Sequence, residues 1–156
     1  MTSKQVLQLF QQTNALLSGH FKLSSGLHSG AYFQSARALE DPKVAAQFGK
    51  ALSKKISAGI DTVVSPALGG LIIGYETARC YGARFIFCER GQAGAMELRR
   101  GFTLRRGEKV ALIEDVITTG GSSQEVIDVV ESAGGKVVEL LSLVESATPH
   151  LILQRQ

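Results

Sequence analysis

The sequence has no tryptophan, only two cysteines and only three prolines in its 156 residues. Cys80 and Cys88 do not have the spacing of a metal site, so neither a disulfide framework nor a zinc module is indicated. No apolar run reaches the roughly 18 residues that a membrane helix needs, and the first residues lack the basic-then-apolar pattern of a secretory signal. We therefore expect a cytoplasmic protein with reduced thiols and no membrane partner.

Strong charge of either sign is also lacking, since the formal net charge is only +3. An excess of this size gives no argument for nucleic acid as a partner, and it agrees equally well with an anionic small substrate. The length suits one domain with one proper core. We assign residues 1–156 to that domain, with a small N-terminal part at about residues 1–40 and a core at about residues 41–145.

The most informative stretch, residues 110–122, reads Val-Ala-Leu-Ile-Glu-Asp-Val-Ile-Thr-Thr-Gly-Gly-Ser. Its first four residues predict a strand buried on both faces of a parallel sheet. Glu114 and Asp115 follow at the carboxyl edge, where open α/β sheets bind ligands. A turn then leads into a helix whose free N–H groups attract an anion. This turn consists of Thr118, Thr119, Gly120, Gly121 and Ser122.

The residue types of this stretch suggest a sugar phosphate. The hydroxyls and N–H groups of the turn fit a phosphate monoester, whereas two adjacent carboxylates suit vicinal hydroxyls or a hydrated divalent metal. A ligand with a phosphate at one end and a diol at the other is a ribose 5-phosphate. Neither the Gly-Lys-Ser/Thr of a Walker loop nor the Gly-x-Gly-x-x-Gly dinucleotide pattern is present. The alternative is an ordinary strand-to-helix turn with a solvated acidic pair.

This stretch resembles the phosphoribosyl-pyrophosphate (PRPP) motif of the type I phosphoribosyltransferases: apolar strand, two acids, two apolar residues and Thr-Thr-Gly-Gly-Ser. The resemblance implies that Glu114 and Asp115 hold the ribose hydroxyls. It implies that the turn holds the 5-phosphate through Thr118, Thr119, Gly120, Gly121 and Ser122.

The N-terminal part begins with a helical pattern behind a Thr2/Ser3 cap. The helix is predicted to bury Val6, Leu7, Leu9, Phe10, Leu16 and Leu17. A β-hairpin with a turn at Ser25-Gly26 is then predicted from the alternation at Phe21, Leu23 and Tyr32. Beside the central motif, this part resembles the hood of orotate phosphoribosyltransferases, with their Phe-x-Leu-x-Ser-Gly signature and aromatic pair. That resemblance implies a hood over the pyrimidine base.

The residues proposed to contact the base are Ser25, Tyr32, Phe33 and Ser146. Lys22 and His28 could contact anions, although such side chains are more often simply solvated. Three positions depart from the family pattern, because Ser24, Ala95 and Ser146 stand where many orotate enzymes carry a cation. We therefore predict weak orotate affinity and slow turnover.

A second glycine turn follows another short predicted strand and resembles the pyrophosphate loop of the family. Its residues are Ala67, Leu68, Gly69 and Gly70, and Arg90 is a further candidate for the pyrophosphate side. Residues 91–101 read as a mobile loop or a twisted hairpin carrying Arg99 and Arg100. The resemblance implies that this segment closes over PRPP, whereas taken alone it is equally an exposed hairpin with solvated arginines.

Alternating strands and helices predict an α/β fold with a mainly parallel sheet flanked by helices. The resemblance implies transfer of ribose 5-phosphate from PRPP to orotate, which gives orotidine 5′-monophosphate and pyrophosphate. It implies Mg²⁺ as cofactor, a homodimer, and Glu114, Asp115, Arg99 and Arg100 as the catalytic set. The alternatives are a phosphoribosyltransferase for another base, such as a purine, and a catalytically weak PRPP-binding regulator. The chain also ends earlier than the related enzymes usually do.

Overall fold

The computed structural model describes residues 1–22, 26 and 28–145. The helices and strands, in chain order, are α1 (Ser3–Gln12), β1 (Leu16–Lys22), β2 (His28–Phe33), α2 (Ser35–Leu39), α3 (Pro42–Ser53), β3 (Thr62–Pro66), α4 (Gly70–Tyr81), β4 (Arg84–Arg90), β5 (Met96–Leu98), β6 (Lys109–Ile117), α5 (Gly121–Ser132) and β7 (Lys136–Glu145).

Within this described part, the core is a five-stranded sheet in the order β5-β4-β3-β6-β7. The neighbouring pairs β4-β3, β3-β6 and β6-β7 are parallel, whereas β5 runs antiparallel to its neighbour β4. This arrangement confirms the predicted α/β class with a mainly parallel sheet. Because the strands are parallel, β3 and β6 both end at one edge of the sheet, and their two glycine turns emerge side by side there.

Both faces of the sheet are covered, which explains the uninterrupted apolar run at residues 110–113 of β6. Ala111 and Ile113 face a core shared with α1, α3 and α4, whereas Val110 and Leu112 face a second core shared with α5. All four are fully buried. Burying a side chain of valine or leucine size contributes about 1.5–3 kcal/mol, so the strand is firmly held. Its alternation fixes the direction of every side chain that follows.

The N-terminal part differs from its prediction at one point. α1 is capped by Thr2 in a capping box, as predicted, but it ends at Gln12, so the prediction that Leu16 and Leu17 belong to this helix is wrong. Asn14 has a positive φ of 52°, which turns the chain out of the helix. Leu16 and Leu17 instead pair with Phe33 and Tyr32 in the predicted hairpin.

Residues 91–101 form the twisted hairpin that the sequence offered as one of two readings. β4 and β5 pair antiparallel, and the turn between them is closed by the Gly91 N–H donating to the Ala95 carbonyl at 2.9 Å. Gly94 lies in that turn with φ +81°, a backbone region that glycine enters without steric cost. Among the helices that the structure describes, none is both long enough and apolar enough to cross a membrane.

Candidate active site

The acidic pair at the end of β6 is divided between the two faces of the sheet. Alternation along the strand continues Val110 and Leu112 with Glu114 on the α5 side, and it continues Ala111 and Ile113 with Asp115 on the α4 side. The contacts agree, since Glu114 meets hydroxyls of α5 and Asp115 lies against the turn before α4. The two carboxylates therefore occupy different surroundings and are suited to different tasks.

Asp115 joins three segments that are distant in the sequence. Its Oδ2 accepts a hydrogen bond from the hydroxyl of Ser35, at the start of α2. The backbone of Gly69 passes so close that a Cβ there would lie 2.7 Å from Asp115 Oδ2. Any side chain at position 69 would therefore displace the carboxylate. The lack of a side chain at Gly69 lets the β3–α4 turn and the acidic residue of the central motif share one site.

Asp115 lies in a cavity of about 560 Å³ at this edge of the sheet. The N-terminal hairpin contributes Lys22 and Tyr32, and the β3–α4 turn contributes Leu68 and Gly69. The central motif contributes Asp115, Thr118 and Ser122, and the chain around α2 adds Gln34 and Ser35. The cavity thus brings together the hood, the second glycine turn and the central motif. These three motifs lie far apart in the sequence and were interpreted separately.

Glu114 lies under the turn rather than in this cavity. Its side chain is only 3% exposed, and its Oε1 accepts hydrogen bonds from Ser123 at 2.8 Å and from Ser122 at 3.3 Å. Burial raises the pKa of Glu114 to about 7; the neighbouring Asp115 charge acts in the same direction, and the two serine hydrogen bonds oppose it. Glu114 therefore holds the start of α5, and its carboxyl group is partly protonated near neutral pH.

The turn from Thr118 to Ser122 has the geometry of an anion site. Gly120 precedes α5 with φ +79°, a conformation that favours glycine, and the first N–H groups of a helix lack intrahelical partners. Thr118 and Ser122 line the large cavity. An adjoining cavity of about 300 Å³ is lined by Thr118, Thr119, Gly120 and Gly121. The turn can therefore surround a phosphate with N–H and O–H donors.

The β3–α4 turn offers its donors unequally. The Ala67 N–H donates to the Cys88 carbonyl at 2.7 Å, so it is already used within the sheet. Leu68, which is 83% exposed, and Gly69 border the cavity, and Gly70 begins α4. Of the four turn residues proposed for pyrophosphate, Leu68 and Gly69 are thus the ones that the structure places at the cavity.

The three arginines proposed for catalysis or pyrophosphate binding do not border this cavity in the described part of the chain. Arg90 makes a two-pronged contact with Glu125 of α5, at 2.7 and 3.0 Å. Arg100 does the same with Glu89, at 2.8 and 2.9 Å, and Arg99 lies 3.9 Å from the same glutamate. All three stay near the β4–β5 hairpin in this arrangement.

The aromatic pair is also divided. Phe33 is buried against Phe10, with ring centroids 5.3 Å apart in an edge-to-face contact, so it anchors the hairpin to the core. Tyr32 is 38% exposed and packs on Phe21, with centroids 5.6 Å apart. Tyr32 therefore offers a ring face to a planar ligand. The other two residues proposed for the base, Ser25 and Ser146, lie outside the described residues.

Sequence reasoning missed Ser35 and Ser123 as members of the site. Ser35 is 80 positions before its partner Asp115, and no periodic pattern connects them. Ser123 adjoins Ser122, but its role depends on how α5 is rotated about its axis, which places the Ser123 hydroxyl under the turn. The sequence signal for Ser123 was that two serines, Ser122 and Ser123, follow the two glycines of the turn.

Comparison with known proteins agrees with this geometry. The family model described as "Phosphoribosyl transferase domain" matches residues 35–151. An orotate phosphoribosyltransferase of Wolinella succinogenes is 54% identical over 134 residues, which are 84% of this chain and 65% of that protein. An orotate phosphoribosyltransferase of Desulforamulus reducens is 47% identical over 132 residues, covering 84% of this chain and 69% of that one.

Among solved structures, orotate phosphoribosyltransferase from Aeropyrum pernix matches with a TM-score of 0.75 and 25% identity, over 91% of this chain and 82% of that chain. The chain spans less than two thirds of the length of the Wolinella relative, at 65%. The family model nevertheless covers most of the sequence, including the whole central motif and the β3–α4 turn. The chain belongs to the phosphoribosyl transferase family.

Proposed function

We propose that the protein transfers ribose 5-phosphate from PRPP to orotate, forming orotidine 5′-monophosphate and pyrophosphate. The observation that carries this proposal is the cavity in which Asp115 lies between the hydroxyl-rich turn and the β3–α4 turn, with Tyr32 on the hood side. A carboxylate beside phosphate donors fits a ribose phosphate, and an exposed ring fits a planar base. The curated relatives named orotate phosphoribosyltransferase support orotate as the base.

In this reaction the bond between ribose C1 and the pyrophosphate oxygen breaks, a ring nitrogen of orotate forms the new bond to C1, and the proton of that nitrogen is released to solvent with the pyrophosphate. Positive charge builds on the ribose in between, so the protein contributes positioning and electrostatic stabilisation. Asp115, held by Ser35, accepts hydrogen bonds from the ribose hydroxyls. The turn at Thr118–Ser122 binds the 5-phosphate, and the backbone N–H groups of Leu68 and Gly69 bind the leaving pyrophosphate.

Mg²⁺ fits this site as a cofactor that is bound mainly by the phosphates of the substrate. No cluster of three or more metal-binding side chains occurs among the described residues. Mg²⁺ is commonly bound through one or two carboxylates together with substrate phosphates rather than by a complete protein cage. Asp115 is the carboxylate that faces the cavity and would hold it. When bound, the metal would neutralise part of the negative charge on the departing pyrophosphate.

The arginines of the β4–β5 hairpin remain our proposal for additional pyrophosphate contacts. Arg99 and Arg100 are about half exposed or more, at 48% and 60%, and their glutamate partner belongs to the same hairpin. The Glu89 side chain is less exposed, at 18%, and a phosphate would offer the two arginines the same kind of charge-assisted partner in its place. We further propose a cytoplasmic homodimer, on the basis of the family resemblance.

The test is pyrophosphate release from PRPP and Mg²⁺ with a panel of bases: orotate, uracil, adenine, guanine and hypoxanthine. We expect release with orotate and formation of orotidine 5′-monophosphate by chromatography, with at least tenfold less product from each purine. Preferential turnover of a purine would select a phosphoribosyltransferase of other specificity. PRPP binding without turnover of any base would indicate a regulator.

A further inference from the structure

The charges that border the large cavity are few and of opposite sign. Asp115 supplies a carboxylate on the core side. Among the described residues lining the cavity, Lys22 is the only lysine or arginine. The arginines that the sequence offered for anions are paired elsewhere: Arg90 with Glu125, and Arg100 with Glu89. Among the described residues, Lys22 is therefore the basic side chain that borders the hood side of the cavity.

The hairpin positions this lysine beside the aromatic face described above. Lys22 is the last residue of β1 and pairs in register with His28 of β2. The preceding residue, Phe21, packs on Tyr32, and Tyr32 lines the same cavity as Lys22. One hairpin thus presents a flat ring and a flexible cation to the same space. A planar heterocycle that carries an acidic group has both of these complements.

We propose that Lys22 binds the acidic group of the acceptor base and so determines the preference for a carboxylated over an uncharged pyrimidine. This inference rests on the proposed function and deepens it, because it assigns the specificity of the base site to one side chain. An ammonium group pairs with a carboxylate through charge-assisted hydrogen bonds, which are roughly twice as strong as neutral ones. Uracil has the same ring without the carboxylate and loses that interaction.

A cation at Lys22 would raise the orotate affinity above the weak affinity that the sequence predicts. That expectation rested on neutral residues at positions 24, 95 and 146. Ala95 lies in the turn of the β4–β5 hairpin, and Ser24 and Ser146 lie outside the described residues. Lys22 supplies a cation from another position of the same hood. Since its stem is long and its side chain exposed, it can adjust to the carboxylate without moving the backbone.

The test compares Lys22→Met, which removes the charge but keeps most of the stem, with Lys22→Arg, which keeps the charge. Lys43→Met is the matched control, because Lys43 is an exposed lysine at the start of α3 and does not line the cavity. Calorimetry in the presence of pyrophosphate and Mg²⁺ measures binding of orotate and of uracil. Steady-state kinetics give KM for orotate and for PRPP.

Loss of a charge-assisted contact worth about 1.5–3 kcal/mol corresponds to roughly ten- to hundred-fold weaker binding. We expect Lys22→Met to lose that much orotate affinity, with uracil binding and the KM for PRPP unchanged within about twofold. Lys22→Arg should retain most of the orotate affinity, and Lys43→Met should match the natural chain.

Equal orotate affinity in Lys22→Met and the natural chain overturns the inference. A parallel loss for PRPP also overturns it, because Lys22 would then serve the phosphates. The proposed function fails separately, if the natural chain turns over no orotate. In that case the calorimetric comparison of orotate with uracil still decides the role of Lys22.

Discussion

Buried glutamates lie at both ends of β6, in opposite electrostatic settings. Glu108, just before the strand, accepts hydrogen bonds from Thr62 at 2.5 Å, from Arg84 at 2.8 Å and from the Arg105 backbone at 2.8 Å. Burial alone would raise its pKa, but these hydrogen bonds and the Arg84 charge lower it to about 2. Glu114, towards the other end, accepts hydrogen bonds from Ser122 and Ser123, and burial raises its pKa to about 7.

The difference separates a structural carboxylate from one in a functional region. Glu108 is matched by two cations, Arg84 and Arg105, and by hydrogen bonds from the Thr62 hydroxyl and the Arg105 backbone, so its charge is stabilising and fixed. Glu114 is matched by hydroxyls and lies next to a second carboxylate, so its charge is costly. Strongly perturbed acids of the second kind occur preferentially at binding and catalytic sites. This difference agrees with a structural role for the amino end of β6 and with the ligand site that we propose at its carboxyl end.

The largest effect on stability is expected from Glu108→Gln. The folded-state pKa lies below the ordinary value of 4.5, so ionised Glu108 stabilises the fold above about pH 4.5, and that contribution is lost as the pH falls towards 2. Removing the charge should lower the free energy of unfolding by about 2–3 kcal/mol at pH 7. The loss should shrink at pH 3. Urea denaturation at both pH values measures it.

Glu125→Gln is the control for that experiment, because the Glu125–Arg90 pair is about half exposed on both sides. Exposed pairs of this kind contribute about 0–1 kcal/mol. Equal losses in Glu108→Gln and Glu125→Gln would remove the structural half of the comparison.

A smaller change with the opposite sign is expected from Glu114→Gln. The folded-state pKa of Glu114 lies above the ordinary value, so ionisation destabilises the fold increasingly as the pH rises from about 4.5 to 7. A neutral glutamine keeps an oxygen acceptor for Ser123 and avoids this cost. We expect it to be more stable than the natural chain by about 1–2 kcal/mol at pH 8.

The gain should disappear near pH 4.5, where the natural carboxyl is protonated in the folded state. Thermal unfolding at pH 4.5 and pH 8 measures both values. A glutamine variant that is less stable at pH 8 would show that the ionised form of Glu114 is well stabilised, and the two ends of β6 would then be alike.

The smallest effect is expected from Ser35→Ala, which removes the hydroxyl that orients Asp115. A single hydrogen bond contributes about 0.5–1.5 kcal/mol net, so PRPP affinity should fall by roughly two- to tenfold with little loss of kcat. Ser53→Ala is the matched control, since the Ser53 hydroxyl donates to the Lys50 carbonyl within α3 and does not line the cavity. Unchanged PRPP affinity in Ser35→Ala would make Ser35 a packing residue.

Sequence reasoning was strongest where a pattern is local. The apolar run of β6, the acids after it and the glycine turn predicted a strand, a ligand edge and a helix start, and the fold confirms their order. The alternation along β6 was also enough to predict that Glu114 and Asp115 lie on opposite faces of the sheet, since neighbouring residues of a strand point to opposite faces. That separation was nevertheless not predicted, because both acids were assigned together to the ribose.

What the sequence could not provide depends on contacts between distant segments. Ser35 meets Asp115 through the packing of α2 against the carboxyl edge, and Arg100 is held by the pairing register of the β4–β5 hairpin with Glu89. The end of α1 depended on Asn14 adopting a positive φ, which helical periodicity alone does not reveal. Local patterns predicted the elements, whereas tertiary packing determines which charges are free for a ligand.

The most direct test of the account is calorimetric titration of PRPP with Mg²⁺ into the natural chain and into Asp115→Asn. Asparagine has nearly the same size but lacks the charge that accepts hydroxyl hydrogen bonds, each worth about 1.5–3 kcal/mol. We predict roughly ten- to hundred-fold weaker PRPP binding in the variant, with an unfolding midpoint close to that of the natural chain. Equal PRPP affinity in the two proteins would contradict the assignment of the carboxyl end of β6 as the ribose-phosphate site.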